Sequence, residues 1–593
     1  MDASTHTSVP RRWLFAIGVA LLLSYCVGLF ARGFWTPDEP READLAWRMS
    51  WQADLSVPLL AGEAFCEKPP LTYWAAAIPV RLLGFAPWSA RIPNLLYAII
   101  SVLSIGALAR RLAGPVAGLA AGAAIGSFLL GYQTLIWLAT DAPVLAFASL
   151  ALCGFGRGFH ARDSHERWTG YTLMHAGMAA AFLSKSALGW LVPLTTAATL
   201  ILWERRWREL LRWELYAGLP LQAAMILGWV WSVYSGPEGA AHLKVFFWNN
   251  LAGRLTQVNA PAELQYATAH RNHPGKYLQE LPLYLWPWTL LVIAAARRAW
   301  VARRESDETG RLLRFAVSAS VPSVLLLSLA ATARNVYLAP ALTGFALLTG
   351  WWIRQLLDHR DAWDVRALRG TAAMIMIAAL LAAAVLTMLA FDSPSFAQAK
   401  PLLMVIAAAG LGLALYLSVD AWLNAARPAN LGAAASLFAA WCCLLCAPAW
   451  LAYTQINRWQ DLAALGAQIA RDASGHPLLL FAPDETTRAF VDLYVGKVAA
   501  IVPEGDAARG YGELHRAGET HGDVRILTQV EGRDYSPAVM RLNGWLKRRA
   551  PKSASEELAW ASAASLHLWK LYSLPNGRRY ALLQPMLSGA SVR

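Results

Sequence analysis

The stretch RGTAAMIMIAALLAAAVLTMLA, residues 369–390, decides the fold class, because it is long enough to cross a bilayer and holds one charge, at Arg369. Runs of similar length recur along the chain. With this one they predict helices at 12–30, 88–107, 112–130, 133–153, 170–186, 187–203, 213–234, 280–297, 312–331, 335–353, 369–390, 400–423 and 431–453. Only 15% of the 593 residues are charged and 56% are hydrophobic, which is too little charge to cover a soluble protein of this size. The sequence therefore predicts a polytopic α-helical membrane protein with about 13 spanning helices.

The formal net charge of +13 is a signal of membrane topology. The arginines gather in short clusters between apolar runs, as the positive-inside rule predicts for cytoplasmic loops. Examples are the clusters at 11–12, 205–212 and 297–314. This pattern predicts a cytoplasmic N-terminus, and an odd number of spans then places the C-terminus in the periplasm. Because topology accounts for the basic charge, we expect no nucleic-acid partner.

The chain divides into a membrane part, residues 1–455, and a tail, residues 456–593, that is polar and mixed in pattern. The positive-inside pattern places two long loops of the membrane part, 31–87 and 235–279, on the periplasmic side. In the tail, HPLLLFAP, KVAAIVP, DVRILTQ, SLHLWKLYSL and RRYALLQP are strand candidates, and DETTRAFVDLYVG is a helix candidate. The tail is therefore expected to form a small periplasmic α/β domain.

The first long loop is unusually acidic and contains FWTPDEPREADLAWRMSW, residues 34–51. Asp38 and Glu39 lie between two prolines, which restrict the backbone and can aim a carboxylate at a fixed point. Glu42 and Asp44 follow in a segment with helical character, where acidic residues favour the N-terminal end. An alternative interpretation is that Glu39, Glu42 and Asp44 are only capping or solvated charges.

The same loop ends with EKPPLTYW, residues 67–74, where the chain returns to the membrane. Glu67 and Lys68 are adjacent, so they cannot share one face of a helix and are expected to serve different partners. Lys68 has a second interpretation, because interfacial lysines often extend toward phospholipid head groups.

Asp141 lies in TLIWLATDAPVLAF, inside an apolar stretch. A carboxylate is costly in a membrane, so a functional role is the default hypothesis, and a structural polar contact is the alternative. Pro143 would break the helix close by, and the polar backbone that this exposes is tolerable beside a cavity.

The second long loop contains further polar candidates. Asn250 and Arg254 are four residues apart and would share a helical face. His270 and His273 are three apart and, together with Glu67, could bind a divalent metal ion, although two solvated loop histidines are the simpler interpretation. Arg334 and Tyr337, in TARNVYLAP, lie at another predicted periplasmic helix end and could reach an anionic ligand.

The order and spacing of these motifs resemble a known family. The Asp38–Glu39 pair, EKPPLTYW, the embedded Asp141, FFWNN with GRL, and HRNHPGKYL resemble the GT-C polyprenyl-phosphate-dependent glycosyltransferases of the protein mannosyltransferase and aminoarabinose transferase superfamily. The resemblance covers roughly residues 10–455. The sequence of the first loop and the small α/β tail are most similar to those of the aminoarabinose transferases. The protein mannosyltransferases are the alternative family.

This resemblance implies a function and its partners. Aminoarabinose transferases take 4-amino-4-deoxy-L-arabinose from an undecaprenyl phosphate carrier and attach it to lipid A phosphates at the periplasmic face of the bacterial inner membrane. The activity confers resistance to polymyxin and other cationic antimicrobial peptides. The resemblance also implies inversion at the anomeric carbon of the sugar.

The resemblance further assigns roles to residues. Asp38 matches a loop aspartate treated as catalytic, and Asp141 matches a second acid near the site. Lys68 and Arg254 match cations that hold the carrier phosphate, although the family's Arg-Phe pair is Arg254-Leu255 here. Glu67 with His270 or His273 is a weaker match to a metal contact.

The chemistry of the reaction refines these roles. The leaving group is a lipid phosphate, so catalysis must neutralise the growing negative charge, for which Lys68 and Arg254 are suited, with Tyr73 or Tyr337 as further donors. An acceptor phosphate is already largely ionised at neutral pH and hardly needs a general base. We therefore expect Asp38 to position the acceptor, hold the sugar amine or stabilise the oxocarbenium-like centre. A transporter of lipid-linked sugars is the competing class, but it predicts charge through the membrane midplane, whereas these charges cluster toward one face.

Overall fold

The computed structural model describes residues 11–252, 274–302, 307–330, 334–392, 401–427, 431–496, 498–502, 524–530, 558, 561 and 566–585. The first half of the membrane part contains eleven α-helices within these ranges: α1 Arg11–Phe30, α2 Asp38–Met49, α3 Leu71–Leu83, α4 Pro87–Ala90, α5 Ile92–Ser127, α6 Leu129–Ile136, α7 Asp141–Phe159, α8 Ser164–Lys185, α9 Leu191–Trp203, α10 Leu219–Tyr234 and α11 Gly239–Leu243. Short strands β1, Leu59–Leu60, and β2, Glu63–Ala64, form a hairpin between α2 and α3.

The described helices that follow, in the rest of the membrane part and in the tail, are α12 Lys276–Tyr284, α13 Thr289–Ala302, α14 Asp307–Leu329, α15 Leu342–Gln355, α16 Ala362–Asp392, α17 Pro401–Asn424, α18 Gly432–Leu445, α19 Ala447–Trp459, α20 Leu462–Asp472 and α21 Glu485–Tyr494. Other helical turns are 3₁₀ at Ser186–Trp190, Trp207–Leu211, Trp213–Tyr216 and Asn335–Ala341, and π at Lys244–Ala252. The remaining strands are β3 Leu478–Phe481, β4 Ala500–Val502, β5 Arg525–Val530, β6 Leu566–Ser573 and β7 Arg579–Pro585.

Ten helical segments in the described ranges are long and apolar enough to cross a membrane: Arg12–Phe30, Pro87–Ser127, Asp141–Phe159, Ser164–Trp203, Trp213–Tyr234, Thr309–Leu329, Asn335–Gln355, Ala362–Ala390, Pro401–Asn424 and Gly432–Asp472. These segments confirm the prediction of a polytopic α-helical membrane protein. Three of them are about forty residues long. Two of these three, Pro87–Ser127 and Ser164–Trp203, are interrupted where the sequence predicts two spans. One breaks at Gly114, whose positive φ of 89° suits glycine, and the other at the 3₁₀ turn Ser186–Trp190.

Two predicted spans differ from the structure. The span predicted at 133–153 is broken, because α6 ends at Ile136 and α7 begins at Asp141. The span predicted at 280–297 is divided between α12 and α13, which flank Pro287, and α13 has only 14 residues. A proline cannot donate the helical hydrogen bond, which explains a break at Pro287. The number of membrane crossings therefore stays a prediction.

The chain separates into two compact units. The first consists of residues 1–31, 52–58 and 65–452, and within it the described apolar helices share one large buried core. The second consists of residues 32–51, 59–64 and 453–593. The sequence assigned the whole loop 31–87 to the membrane part, whereas α2 and the β1–β2 hairpin belong to the second unit. The reason is that α2 packs against α21, through contacts that local sequence does not reveal.

The second unit is an α/β structure with a five-stranded sheet in the order β4-β3-β5-β7-β6. Strands β4 and β5 pair parallel to β3, whereas β7 pairs antiparallel to both β5 and β6. Alternate side chains of a strand face opposite sides of a sheet, and accordingly Leu480 and Leu527 belong to one buried cluster while Leu479 and Ile526 belong to another. All five strand candidates and the helix candidate of the tail are confirmed as elements.

Candidate active site

A helix break in the first unit places Asp141 at the start of a helix. The amide of Asn94 donates to the carbonyls of Leu135 (3.0 Å) and Trp137 (2.7 Å), which replaces helical hydrogen bonds lost at the end of α6. Asp141 then begins α7, where the helix dipole favours a negative charge. The side chain is only 10% exposed. The break thus holds a carboxylate at a helix N-terminus inside an apolar region.

Lys185 supplies the counter-charge to Asp141. It is the last residue of α8, and its Nζ donates to Asp141 Oδ1 at 2.5 Å. The same Nζ lies 4.3 Å from the centroid of the Tyr337 ring, a cation–π distance. Lys185 is also only 10% exposed. An embedded ion pair of this kind marks a functional site more often than it stabilises a fold.

Tyr277 extends this group from the end of the second long loop. Its side chain is 1% exposed and its hydroxyl donates to the carbonyl of Arg334 at 2.7 Å. Burial raises the pKa of the Tyr277 phenol, and the neighbouring Tyr337, Glu280 and Asp141 raise it further. We name Asp141, Lys185, Tyr277 and Tyr337 the embedded cluster. The structure brings Asp141 and Tyr337 into one neighbourhood and adds two residues, Lys185 and Tyr277, that the sequence analysis had not assigned to a site.

The segment that carries Glu67 and Lys68 packs near the end of α8. Cys66, just before them, shares a buried apolar cluster with Phe182 and Leu183, which precede Lys185 by three and two residues. Glu67 and Lys68 are half-buried, whereas Tyr73, in the first turns of α3, is 1% exposed. The anchored segment therefore brings the predicted phosphate-binding lysine to the same end of α8 as the embedded cluster.

Asp38 is the first residue of α2 in the second unit. Its carboxylate is 24% exposed and lies 3.4 Å from the guanidinium of Arg41. Arg41 also binds Glu42 at 2.7 Å and Glu485 of α21 at 2.5 Å. Burial lowers the pKa of Arg41, but Glu42, Glu485 and Asp38 together raise it well above its ordinary value. Arg41 is therefore a fixed cation that links Asp38 to the body of the second unit.

The other acidic residues of α2 are not the solvated charges of the alternative interpretation. Glu39, Glu42 and Asp44 are at most 1% exposed. Glu39 accepts from Arg32 at 3.0 Å and from the backbone N–H of Trp35 at 2.8 Å. Buried carboxylates need partners, and arginines and backbone amides provide them here. These residues hold α2 in place.

Asp44 faces a second carboxyl group. Its Oδ2 accepts from the N–H of Ala61 at 2.6 Å. The guanidinium of Arg48 lies 3.8 Å from the Asp44 carboxyl and 2.5 Å from that of Asp492 in α21. Burial and the neighbouring carboxyl of Asp492 raise the pKa of Asp44 to about 9. The coupled carboxyl groups of Asp44 and Asp492 therefore retain a proton in the folded protein at neutral pH.

This proton makes the stability of the protein depend on pH. The unfolded chain releases it near pH 4, whereas the folded protein holds it to about pH 9, so the contribution of Asp44 is full below about pH 4 and is lost progressively as pH rises toward 9. Asp44→Asn cannot ionise. We expect its melting temperature, relative to that of the wild type, to rise as pH increases from 5 to 9. Thermal unfolding at several pH values measures this difference, with the exposed Asp54→Asn as control, and an equal shift at all pH values would contradict it.

Three residues of the predicted site lie outside the described residues: Arg254, His270 and His273. Their roles remain predictions. Within the described ranges, no group of three or more His, Cys, Asp or Glu side chains is placed to hold a metal ion. The proposed divalent metal contact of Glu67 therefore depends on histidines that the structure does not describe.

Comparisons with known proteins agree with this architecture. The family model described as dolichyl-phosphate-mannose-protein mannosyltransferase matches residues 67–231. The crystal structure of ArnT from Cupriavidus metallidurans bound to undecaprenyl phosphate superposes with a TM-score of 0.72 over 99% of this chain and 100% of that chain, at 19% identity, which shows a shared fold. The family model indicates a glycosyltransferase domain over residues 67–231, and the shared fold agrees with it.

Sequence relatives narrow the class. Undecaprenyl phosphate-α-4-amino-4-deoxy-L-arabinose arabinosyl transferases from Pseudomonas aeruginosa strains LESB58 and PAO1 are 31% and 30% identical over 445 residues, which is 73% of this chain and 74% of each relative. The chain belongs to this arabinosyl transferase family. The resemblance inferred from the loop motifs is confirmed.

Proposed function

We propose that the protein transfers 4-amino-4-deoxy-L-arabinose from undecaprenyl phosphate to phosphate groups of lipid A at the periplasmic face of the inner membrane. The observation that carries the proposal is the relationship, at 31% identity over 445 residues, to transferases named for this donor sugar. The proposed orientation is a cytoplasmic N-terminus and a periplasmic C-terminus. The added amino group lowers the negative charge of lipid A, so the activity would protect the cell against polymyxin and similar cationic peptides.

The proposed reaction is a displacement at the anomeric carbon of the sugar. An acceptor phosphate oxygen forms a bond to that carbon, and the bond from the carbon to the carrier phosphate oxygen breaks. Undecaprenyl phosphate leaves with the electron pair and gains negative charge. Cations and hydroxyl donors at that oxygen accelerate the reaction by stabilising this charge.

The embedded cluster supports this chemistry. We assign Lys68, Lys185 and the undescribed Arg254 to the leaving phosphate, with Tyr73 and Tyr337 as hydroxyl donors. Asp141 would act on Lys185, because a carboxylate at 2.5 Å fixes the position of the ammonium in an apolar region. The face of the partly buried Tyr337 ring, at 4.3 Å, restricts the same ammonium from a second side.

Asp38 is assigned a positioning role. Arg41 holds its carboxylate from one side, and the remaining exposed part can contact a cationic group such as the amine of the sugar. A general base is not required for a phosphate acceptor, which is largely ionised at neutral pH. For a hydroxyl acceptor, as in the protein mannosyltransferases that the family model describes, Asp38 would be needed as the base.

A cellular experiment tests the proposed function. The gene is expressed in a strain that makes the donor but lacks its own transferase, and lipid A is analysed by mass spectrometry. We expect lipid A that carries aminoarabinose and restored growth in polymyxin with the wild-type gene. We expect neither with Asp38→Ala, provided that immunoblots show equal amounts of protein. Unmodified lipid A with abundant wild-type protein in the membrane would contradict the proposal.

A further inference from the structure

The segment WERRWRELLRWELY, residues 203–216, connects α9 to α10 in the first unit. We name it the connecting segment. It contains the 3₁₀ turns Trp207–Leu211 and Trp213–Tyr216, and both helices that it joins are parts of segments long and apolar enough to span a membrane. A connection between two spans lies at the boundary between lipid and water. The side chains that it directs outward therefore meet phospholipid head groups or the adjacent water.

The glutamates of the connecting segment are directed inward. Glu209 is 2% exposed and accepts from the hydroxyl of Tyr171 at 2.6 Å and from Arg206 at 3.0 Å. Glu214 is 5% exposed and accepts from Ser164 at 2.7 Å. Arg314 of α14 likewise donates to Glu204 at 2.8 Å. The three glutamates of the segment are thus paired with side chains of the protein itself.

The outward side chains are cationic and aromatic. Arg205 and Arg208 are exposed, and among the described residues no carboxylate lies within 4 Å of either guanidinium. Between and beside them are exposed apolar side chains: Trp203, Trp207, Leu210, Leu211 and Trp213. Tryptophan favours the head-group region of a bilayer, and guanidinium groups bind phosphate in a bidentate manner.

The backbone at Arg205 adopts a conformation that is unfavourable for arginine. The N–H of Arg206 donates to the carbonyl of Ile201 at 3.0 Å and that of Arg205 to Leu202 at 3.2 Å, the two hydrogen bonds of a Schellman turn that ends α9. The residue at this position adopts a left-handed conformation, here with φ of 52°, and glycine is the usual occupant. Arginine in this conformation costs conformational free energy, which favours a functional role for its side chain.

We propose that the connecting segment binds the head group of an anionic phospholipid. Arg205 and Arg208 contact the lipid phosphate, and the exposed tryptophans lie at the head-group level beside it. The inward pairing of the glutamates leaves these arginines free of competing carboxylates from their own segment. The inference depends on the membrane-spanning character of the chain and not on its proposed transferase activity.

The test measures lipid retention by the full-length protein in neutral detergent. Phosphatidylglycerol or phosphatidylcholine is titrated in, and native mass spectrometry counts the bound lipids. We expect the wild type to prefer phosphatidylglycerol. We expect Arg205→Gln/Arg208→Gln to bind it at least about tenfold more weakly, since a basic residue near an anionic lipid surface contributes about fivefold. Arg205→Lys/Arg208→Lys, which keeps the charge but loses the bidentate geometry, should bind phosphatidylglycerol more tightly than the double glutamine variant and more weakly than the wild type.

Control experiments distinguish lipid binding at this site from nonspecific attraction of anionic lipid to exposed arginines. Arg471→Gln removes an exposed arginine of α20 in the second unit and should leave phosphatidylglycerol binding unchanged. Free inorganic phosphate at millimolar concentration should not displace the lipid. Equal phosphatidylglycerol affinities for the wild type and the double glutamine variant, or no preference over phosphatidylcholine, would overturn the proposal.

One variant of Arg205 is expected to change thermal stability and lipid binding in opposite directions. Arg205→Gly relieves the left-handed strain, so the melting temperature in lipid-free detergent should rise. The same change removes a guanidinium, so phosphatidylglycerol binding should weaken about fivefold. A higher melting temperature with unchanged lipid binding would show that Arg205 does not contact the head group, and the proposal would fail.

Discussion

Replacing Lys185 by methionine is expected to lower the turnover number for sugar transfer at least about 100-fold, because it removes the cation that Asp141 holds at 2.5 Å in the embedded cluster. The reason is electrostatic. A positioned positive charge in an apolar region stabilises the charge that grows on the leaving phosphate much more strongly than a charge in water does. Initial rates at varied donor concentration, with purified protein, give kcat and KM. We expect the larger loss in kcat.

A structural role for the pair can be separated from a catalytic one. Lys185→Met alone leaves the Asp141 carboxylate unpaired, which destabilises the protein, whereas Asp141→Asn/Lys185→Met leaves no buried charge. The double variant should therefore regain thermal stability but not activity. Recovery of both in the double variant would show that the pair serves only the fold. Lys570→Met, which removes an exposed ion pair with Asp472 in the second unit, should leave turnover near that of the wild type.

Asp38→Asn is expected to lower kcat about 100-fold with lipid A as acceptor, and by a similar factor at every pH from 6 to 9. Loss of a residue that positions a substrate lowers kcat by the same factor at every pH. Loss of a general base would instead remove one ionisation from the pH profile of kcat. The melting temperature should change little, since Arg41 retains its ion pairs with Glu42 and Glu485. The measurement is the pH dependence of kcat for the wild type and the variant.

Asp54→Asn is the matched control, because it also removes an exposed carboxylate of the first loop. It should leave both kcat and its pH profile unchanged. If the wild-type profile has an ionisation near neutral pH that disappears only in Asp38→Asn, then Asp38 is a general base, and the positioning role is wrong.

Local sequence predicted the described strands of the tail but not the partners of the buried charges. The strands of the tail follow from short runs of alternating or continuous apolar residues, and all were predicted. The burial of Glu42 and Asp44 was not, because Arg41 and Arg48 bind Glu485 and Asp492, and those contacts join residues 444 positions apart. No pattern within the first loop indicates which distant helix will cover it.

Asp141 and Lys185 show the same limit within the membrane part. Asp141 was predicted as a site residue because a carboxylate interrupts an apolar run. The same rule applies to Lys185, but this residue lies in the short turn where the spans predicted at 170–186 and 187–203 meet, and it was not assigned to a site. The structure shows that this turn is the end of α8, 44 residues from Asp141, and that the two side chains pair there. An embedded cation close to a predicted helix end was the available signal.

Transfer by the purified protein is the most direct test of the account. The protein in detergent is given undecaprenyl phosphate-linked aminoarabinose together with lipid A, and mass spectrometry follows both lipids. We expect that lipid A gains the sugar, that undecaprenyl phosphate is released in equal amount, and that Lys185→Met abolishes both. A folded wild-type protein that leaves both lipids unchanged, or that transfers the sugar only to a protein acceptor, would contradict it.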